Sequence, residues 1–217
     1  MVKKILLRIL LALGLVIVVL VGNLALFGFT ATRISEGTPI ADPPPPNTAL
    51  LVIDIQGGTT GNASALTGLK EQSELLIRNV NRITEEMHTK DQLIIYVRTE
   101  VVNPLINVLN NTMARGTDGA ELDPRLVIHS GEVVVKRRND PFIGTNLDQI
   151  LADHQIGKLV LVGLDASECV KSAAMASLNR AYSTSVIEDA LITEKEEDKA
   201  EAIQELSSLG VEIVSMD

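Results

Sequence analysis

The chain is poor in cysteine and in aromatic residues: its 217 residues include one Cys, no Trp, three Phe and two Tyr. The single cysteine, Cys169, excludes an internal disulfide and leaves a free thiol. Lone cysteines are more often small buried hydrophobic residues than reactive ones, so the rest of the sequence must decide between these roles. Beyond residue 32 only Phe142 and the two tyrosines provide rings, which is a poor basis for stacking an aromatic ligand.

Histidine is scarce too, and none of the three copies stands near a predicted strand end. His88 and His154 end predicted helices, and His129 lies in a loop. This distribution argues against a Cys–His catalytic pair, and no second histidine follows at metal-ligand spacing, so no bound metal is expected. No G-x-x-x-x-G-K-[ST] phosphate loop occurs either, and we expect no cofactor.

Charged residues are missing from residues 9–32, an apolar run longer than the roughly 20 residues that a helix needs to span a bilayer. The run predicts an uncleaved transmembrane signal-anchor, because a cleaved signal peptide has a shorter apolar centre and a small-residue cleavage site, and no good A-x-A site follows here. A cleaved signal is the alternative. A buried core helix is disfavoured because the run has no polar face.

The basic residues around this run predict its orientation. Residues 1–8 hold three positive charges and form a predicted cytoplasmic flank, whereas only Arg33 closely follows the span. By the positive-inside rule, the N-terminus of this single-pass protein stays in the cytoplasm and its C-terminal part is extracytoplasmic. Residues 33–47 include four consecutive prolines and predict a stiff stalk without a core, followed by a domain over residues 48–217.

Beyond the predicted span the chain is acidic, with 16 basic and 28 acidic residues and a net charge of −12. This charge argues against nucleic acid as a partner and against electrostatic docking to anionic lipid. We therefore expect a small-molecule substrate as the partner of the domain and the membrane as the partner of the N-terminal helix. Formation of a homo-oligomer stays open, since the sequence shows no interface.

Short apolar runs alternate with amphipathic stretches over residues 48–217. The predicted strands are residues 49–55, 92–98, 132–136, 158–164, 184–189 and 211–216, and the predicted helices are 69–87, 145–154, 169–182 and 194–210. Runs that are apolar throughout are typical of strands buried on both faces. The alternation predicts an α/β Rossmann-like three-layer sandwich with a six-stranded, mostly parallel sheet, preceded by one transmembrane helix.

Three reactive side chains stand at or just beyond predicted strand ends: Asp54, Lys136 and Cys169. In such sheets ligands bind at the carboxyl ends of the strands. Cys169 begins a predicted helix, whose N-terminus would stabilise a thiolate and lower the thiol pKa. Asp54 could accept the thiol proton, and Lys136 could orient that carboxylate. Each residue also has a purely structural alternative: the cysteine as a buried thiol, the aspartate as a turn former and the lysine as a solvated side chain. These alternatives are less favoured because all three residues fall at the same edge of the predicted sheet.

The sequence of this domain resembles a known family, the isochorismatase-like cysteine hydrolases, which include nicotinamidases, N-carbamoylsarcosine amidohydrolases and ureidoacrylate amidohydrolases. The resemblance rests on "ALLVIDIQ" (49–56), "RGTDGAELDPRL" (115–126), "VKRRNDPFIGTNL" (135–147), "VGLDASECV" (162–170) and "RAYSTSVIEDA" (180–190). These motifs follow one consistent order over residues 48–217. Together they are a specific signal, although each alone would be weak.

The resemblance implies a triad of Cys169, Asp54 and Lys136 on the Rossmann-like sheet. In that family the cysteine adds to an amide-type carbonyl, ammonia or an amine leaves, and water hydrolyses the thioester. The resemblance also implies a cis peptide between Leu164 and Asp165, with an oxyanion hole formed by the backbone N–H groups of Asp165 and Cys169. True isochorismatases, which cleave a vinyl ether, resemble this domain but lack the cysteine.

Two segments depart from the family pattern. The family often reads D-x-Q-N-D-F where this chain has "DIQGGTT", and Ala166 stands where threonine is common. The resemblance assigns Gln56 and Phe142 to the substrate pocket. We expect a membrane-anchored cysteine hydrolase that cleaves a carbon–nitrogen bond of a small amide or ureido compound. The alternatives are an isochorismatase-type ether hydrolase and a catalytically inactive interaction module.

Overall fold

The computed structural model describes residues 2–129 and 131–216; Met1 and Asp217, the outermost residues of the predicted flank and domain, lie outside this part. The strands are β1 (Asn47–Ile53), β2 (Leu93–Thr99), β3 (Glu132–Lys136), β4 (Ile156–Gly163), β5 (Ser183–Leu191) and β6 (Glu212–Val214). The α-helices are α1 (Val2–Ala31), α2 (Thr67–Thr89), α3 (Pro104–Leu109), α4 (Leu147–Asp153), α5 (Cys169–Asn179) and α6 (Lys199–Ser208). Short 3-10 turns occupy Asp118–Ala120 and Glu196–Asp198.

The six strands form one sheet in the order β3-β2-β1-β4-β5-β6, and every described pair is parallel. The predicted α/β architecture is therefore confirmed. The strand order reverses between β1 and β4, which lie side by side at the centre of the sheet. This topological switch point is where open parallel sheets bind their ligands.

Side chains of β1 alternate between two cores on opposite faces of the sheet. Leu51 and Ile53 pack with residues of α4, α5 and α6, whereas Leu50 and Val52 pack against the apolar stripe of α2. That stripe consists of Leu69, Leu76, Ile77, Val80, Ile83 and Met87. Because helices cover both faces, the sheet is the middle of three layers and its polar chemistry is confined to the strand ends.

The segment predicted as a stalk, residues 33–47, is docked on the domain. Ser35 donates from its backbone N–H and its hydroxyl to Asp140 Oδ2, both at 2.7 Å. Ile34 and Ile40 pack against the core that contains α5. The composition predicted a spacer without a core, but two apolar side chains and a buried carboxylate partner give this segment a fixed place.

Helix α1 fits a bilayer crossing by length and composition, and no part of its most apolar stretch is buried by the rest of the protein. Its C-terminal turns approach the domain, where Thr30 and Ala31 accept hydrogen bonds from Arg138 and Asn139. The helix therefore ends against loops at the carboxyl edge of the sheet.

Candidate active site

Three elements bring the reactive side chains together at the switch point. Asp54 directly follows β1, Lys136 is the last residue of β3, and Cys169 is the first residue of α5, which follows β4. The Nζ atom of Lys136 lies 2.8 Å from Asp54 Oδ2 and 3.2 Å from Cys169 Sγ. The three residues singled out by their strand-end positions thus form one hydrogen-bonded cluster.

Asp54 is buried and held from several sides. Its backbone has φ +55°, a left-handed conformation that Asp tolerates better than most residues and that turns the chain out of β1. Its Oδ1 accepts a hydrogen bond from Thr99 Oγ1 at 2.8 Å, and its carbonyl oxygen accepts one from Thr59 Oγ1 at 2.6 Å. With Oδ2 on Lys136, both carboxylate oxygens have a fixed direction.

Lys136 is the most buried charged residue of the cluster, with 1% of its surface exposed. Burial by itself lowers the pKa of its ammonium, but the charges of Asp54 and Cys169 and their hydrogen bonds outweigh burial and raise that pKa above its ordinary value. The side chain therefore stays protonated and supplies a permanent positive charge between the carboxylate and the sulfur.

The thiol of Cys169 is partly buried, and burial raises its pKa to about 12. Lys136 lowers the thiol pKa, whereas the charge of Asp54 and its hydrogen bond to the thiol raise it. The expectation that the helix start would lower this pKa is therefore wrong, because loss of water outweighs the local positive charge. With this raised pKa the resting thiol is neutral, and its sulfur accepts a hydrogen bond from Lys136 Nζ.

The turn before α5 contains two backbone N–H groups without an acceptor among the described residues. The peptide bond between Leu164 and Asp165 is cis. Asp165 fixes the turn, because its Oδ1 accepts from Ser167 N–H and its Oδ2 accepts from Glu194 N–H, each at 2.9 Å. Among the described residues, the N–H groups of Asp165 and Cys169 have no hydrogen-bond acceptor. Two donors are thus left for a ligand oxygen.

Gln56 is fully buried and supports the cluster through hydrogen bonds to neighbouring backbone groups. Its Nε2 donates to the carbonyl oxygens of Thr99 at 3.0 Å and Ala120 at 2.7 Å, and its Oε1 accepts from Thr99 N–H at 2.8 Å. These contacts hold the end of β2, and with it the hydroxyl that orients Asp54. Contact between Gln56 and a substrate stays a prediction.

Phe142, the other predicted pocket residue, is 5% exposed and belongs to the core beside α5. Its ring stacks against Tyr182 with centroids 6.4 Å apart. The guanidinium of Arg180 lies over the ring, 4.1 Å from its centroid, where a cation–π attraction stabilises both groups. A role in substrate binding stays a prediction for this residue as well.

Sequence reasoning missed the residues that support the turn after Asp54. Gly58 N–H donates to the carbonyl oxygen of Gly119 at 2.8 Å. A Cβ atom at Gly57 would lie 2.7 Å from the carbonyl oxygen of Asp118. The segment "QGGTT", which departs from the family pattern, is thus fitted to the loop around residue 119. Gly57 and Gly58 are the sequence feature that could have predicted this contact, since glycine near a strand often marks a site where another backbone approaches closely.

The three histidines lie away from the cluster. His88 is at the end of α2 and His154 follows α4, so both precede strands at the amino edge of the sheet. His129 stacks on His88 with ring centroids 4.8 Å apart. Within residues 2–129 and 131–216, no group of three or more His, Cys, Asp or Glu side chains is arranged to hold a metal ion.

The cluster has the parts needed for attack on a carbonyl group. It offers a nucleophile in Cys169, a proton acceptor in Asp54 and a fixed cation in Lys136. The free N–H groups on the turn can receive the oxygen that becomes negative when the carbonyl carbon is attacked. The geometry therefore suits addition of the thiol to a small carbonyl compound.

Comparison with known proteins agrees with this geometry. Residues 48–217 match the isochorismatase domain family. The chain is 28% identical over 187 residues to an Arabidopsis thaliana protein described as a probable inactive nicotinamidase, covering 76% of this chain and 90% of that protein. It is 30% identical over 156 residues to a secreted isochorismatase effector of Verticillium dahliae, covering 68% and 76% of the two chains.

A solved structure is similar over the same region. The N-carbamoylsarcosine amidase of Thermoplasma acidophilum superposes with a TM-score of 0.67 at 25% identity, covering 78% of this chain and 96% of that one. The family match covers the sheet from the second residue of β1 onward, including the segments that supply Asp54, Lys136 and Cys169. The chain therefore belongs to the isochorismatase domain family.

Proposed function

We propose that the protein is a membrane-anchored cysteine hydrolase that cleaves the carbon–nitrogen bond of a small amide or ureido substrate. The observation that carries this proposal is the position of Lys136 Nζ within hydrogen-bond distance of both Asp54 and Cys169. The similarity to an N-carbamoylsarcosine amidase supports the choice of bond. A cysteine at the start of α5 supports a covalent route.

In the first step the thiol proton of Cys169 passes to Asp54 while Sγ bonds to the carbonyl carbon of the substrate. The carbonyl π electrons move to oxygen, which accepts hydrogen bonds from the N–H groups of Asp165 and Cys169. Lys136 stays an ammonium throughout and offsets the negative charge that develops on sulfur. The raised thiol pKa makes Asp54 necessary, because little thiolate exists before the substrate arrives.

In the second step the carbon–oxygen π bond re-forms and the carbon–nitrogen bond breaks. Asp54 gives its proton to the leaving nitrogen, which departs as ammonia or an amine. Water then attacks the thioester and loses a proton to Asp54. Cleavage of the carbon–sulfur bond releases the acid, and the proton on Asp54 returns to the sulfur of Cys169. One water molecule is consumed for each bond cleaved.

Helix α1 is proposed as the anchor, with the N-terminus in the cytoplasm and the catalytic domain extracytoplasmic. The length and composition of the helix support a bilayer crossing, and the three basic residues at its start support the orientation. The docking of its last turns on the domain supports retention of the helix over cleavage as a signal.

Release of ammonia or amine from a panel of small amides and ureides tests the hydrolase proposal. We expect turnover of at least one compound by the purified full chain. The Cys169→Ala variant, which removes the sulfur and leaves the fold of α5 intact, should lose that turnover completely. Equal turnover by both proteins would contradict a covalent role for Cys169.

Two alternatives have support of their own. The similarity to a secreted isochorismatase effector favours cleavage of a vinyl ether, and the similarity to a probable inactive nicotinamidase favours an interaction module without activity. The same panel separates them when a vinyl ether is included. Turnover of the ether alone would favour the ether hydrolase, and no turnover of any compound would favour the interaction module.

A further inference from the structure

The last turns of α1 are joined to loops at the carboxyl edge of the sheet. Asn103 Nδ2 donates to Asn23 Oδ1 at 2.9 Å, and Asn139 N–H donates to the carbonyl oxygen of Ala31 at 3.0 Å. One face of α1 makes these contacts, since Phe27 is also partly buried there. These bonds fix the position of each loop along the axis of the helix.

Asn23 lies at or inside the outer boundary of a 20-residue bilayer span of α1 that follows either Lys4 or Arg8. A span of about 20 residues that starts at Ile5 ends at Leu24, and one that starts directly after Arg8 ends at Gly28. In the first case the partner of Asn23, Asn103, is held at the level where the hydrocarbon meets the head groups, and in the second it is held about 7.5 Å inside that boundary.

Asn103 is also the N-cap of α3, and its Oδ1 accepts a hydrogen bond from Leu105 N–H at 2.9 Å. The apolar side chains next to it are unusually open: Val102 is 48% exposed, Val108 83% and Leu109 76%. Exposed apolar side chains that form a contiguous patch mark a contact surface, and these residues at the two ends of α3 are candidates for one.

We propose that α3 lies in the outer surface of the bilayer that α1 crosses, with Val108 and Leu109 among the lipid chains. This inference rests on the proposed anchoring by α1. The bond between Asn103 and Asn23 joins the start of α3 to the span, and Val102, Val108 and Leu109 are exposed apolar side chains of this segment.

Lipid fits this surface better than a second copy of the chain. Three side chains are far too few for a stable dimer interface, which buries roughly 800 Å² on each partner. The proposed insertion rests on apolar contact, so neutral lipid suffices to test it. The candidate active site lies nearby, since α3 follows β2, whose last residue, Thr99, bonds to Asp54.

Tryptophan fluorescence tests the proposal, because the chain has no tryptophan of its own. The full-length Leu109→Trp variant is placed in phosphatidylcholine vesicles with or without brominated acyl chains. We expect brominated lipid to quench its emission at least about twofold, as for side chains at the acyl boundary. Val133→Trp is the matched control, since Val133 is 47% exposed at the opposite, amino edge of the sheet and should not be quenched.

Flotation of the same vesicles separates failure of this proposal from failure of the anchor. Protein that floats while the indole of Leu109→Trp stays unquenched overturns the placement of α3 and leaves the anchor standing. Protein that does not float overturns both. An indole shielded from acrylamide yet unquenched by brominated lipid would assign the surface to a second copy and overturn the proposal. Val108→Trp, at a still more exposed position, must give the same result.

Discussion

The thiol of Cys169 shows how burial and charge act on a single residue. Burial and Asp54 raise its pKa, and Lys136 lowers it, with a result near 12. A thiol that remains protonated at neutral pH needs a base at the moment of attack. Asp54 is therefore more than a charge partner of Lys136 in the proposed reaction.

Substitution of Asp54→Asn should separate thiol reactivity from catalysis. Loss of the carboxylate removes a charge that raises the thiol pKa, so iodoacetamide labelling at neutral pH should rise by about three- to fourfold for each pKa unit lost, since the gain in thiolate is partly offset by its lower nucleophilicity. Amide turnover should fall by about 10²–10⁴-fold, because the proton acceptor is gone. All labelling belongs to Cys169, the single cysteine, and mass spectrometry measures it directly.

The unsubstituted protein provides the pH control for this prediction. Because the thiol pKa is raised, the thiolate fraction at any lower pH is smaller than in free cysteine. Labelling should therefore keep increasing well above about pH 9, whereas a free thiol levels off near its pKa of about 8.5. A plateau in Cys169 labelling near that value would contradict the raised pKa.

At this scale the sequence predicted the positions of Asp54, Lys136 and Cys169, because strand ends can be identified from apolar runs. It predicted the wrong direction for the thiol pKa, because local helix position was visible and three-dimensional burial was not. Thr99 was also missed, since its hydroxyl meets Asp54 only through pairing of β1 with β2.

Among the structural elements, the turn after β1 and the loop around Gly119 depend on each other. Gly57 and Gly58 form backbone hydrogen bonds with that loop, and there is no room for a side chain at either position. The turn carries Asp54 and Gln56, so its fit to the loop controls the position of the carboxylate.

The Gly57→Ala variant tests this fit. The added Cβ would lie 2.7 Å from the carbonyl oxygen of Asp118, so backbone must shift. We expect the free energy of unfolding in urea to fall by about 1–3 kcal/mol, as for other overpacked sites. The exposed residue Asn62 in the same loop is the control, and Asn62→Ala should change stability by less than about 0.5 kcal/mol. Equal effects of the two substitutions would contradict the close approach.

Strands and long helices were predictable as elements, because β1 and α2 have clear apolar patterns. The docked course of residues 33–47 was not, since four prolines favour an extended segment whether or not it touches the domain. Its two isoleucines are too widely spaced to form a helical or strand pattern, and their contacts exist only in three dimensions.

At the scale of the whole molecule, the docked segment makes α1 and the domain one unit. Ser35 satisfies the fully buried carboxylate of Asp140, and Ile40 donates its N–H to the carbonyl oxygen of Arg180 at 2.9 Å. A chain without this segment would leave a buried charge with fewer donors, which is destabilising.

Two truncations test this unit. A chain that begins at Thr32 keeps the contacts of Ile34, Ser35 and Ile40, and a chain that begins at Asn47 loses them. We expect the shorter chain to unfold with a free energy lower by about 2–4 kcal/mol, from lost apolar packing and lost hydrogen bonds. The full chain should float with vesicles and neither truncation should. Equal stability of the two truncations would contradict the docking, and flotation of the longer truncation would contradict α1 as the anchor.

The hydrogen bond between Asn139 and Ala31 has a consequence for encounters with substrate. A domain joined to its anchor by a flexible linker samples many orientations, and its active site can be reached from the whole surrounding volume. With α1 as the proposed anchor, these contacts would make the helix and the domain rotate together about the bilayer normal, and Cys169 would keep one height and one tilt. A substrate confined to the same leaflet would be met by a search in two dimensions, whereas a dissolved one must approach from the solvent half-space alone.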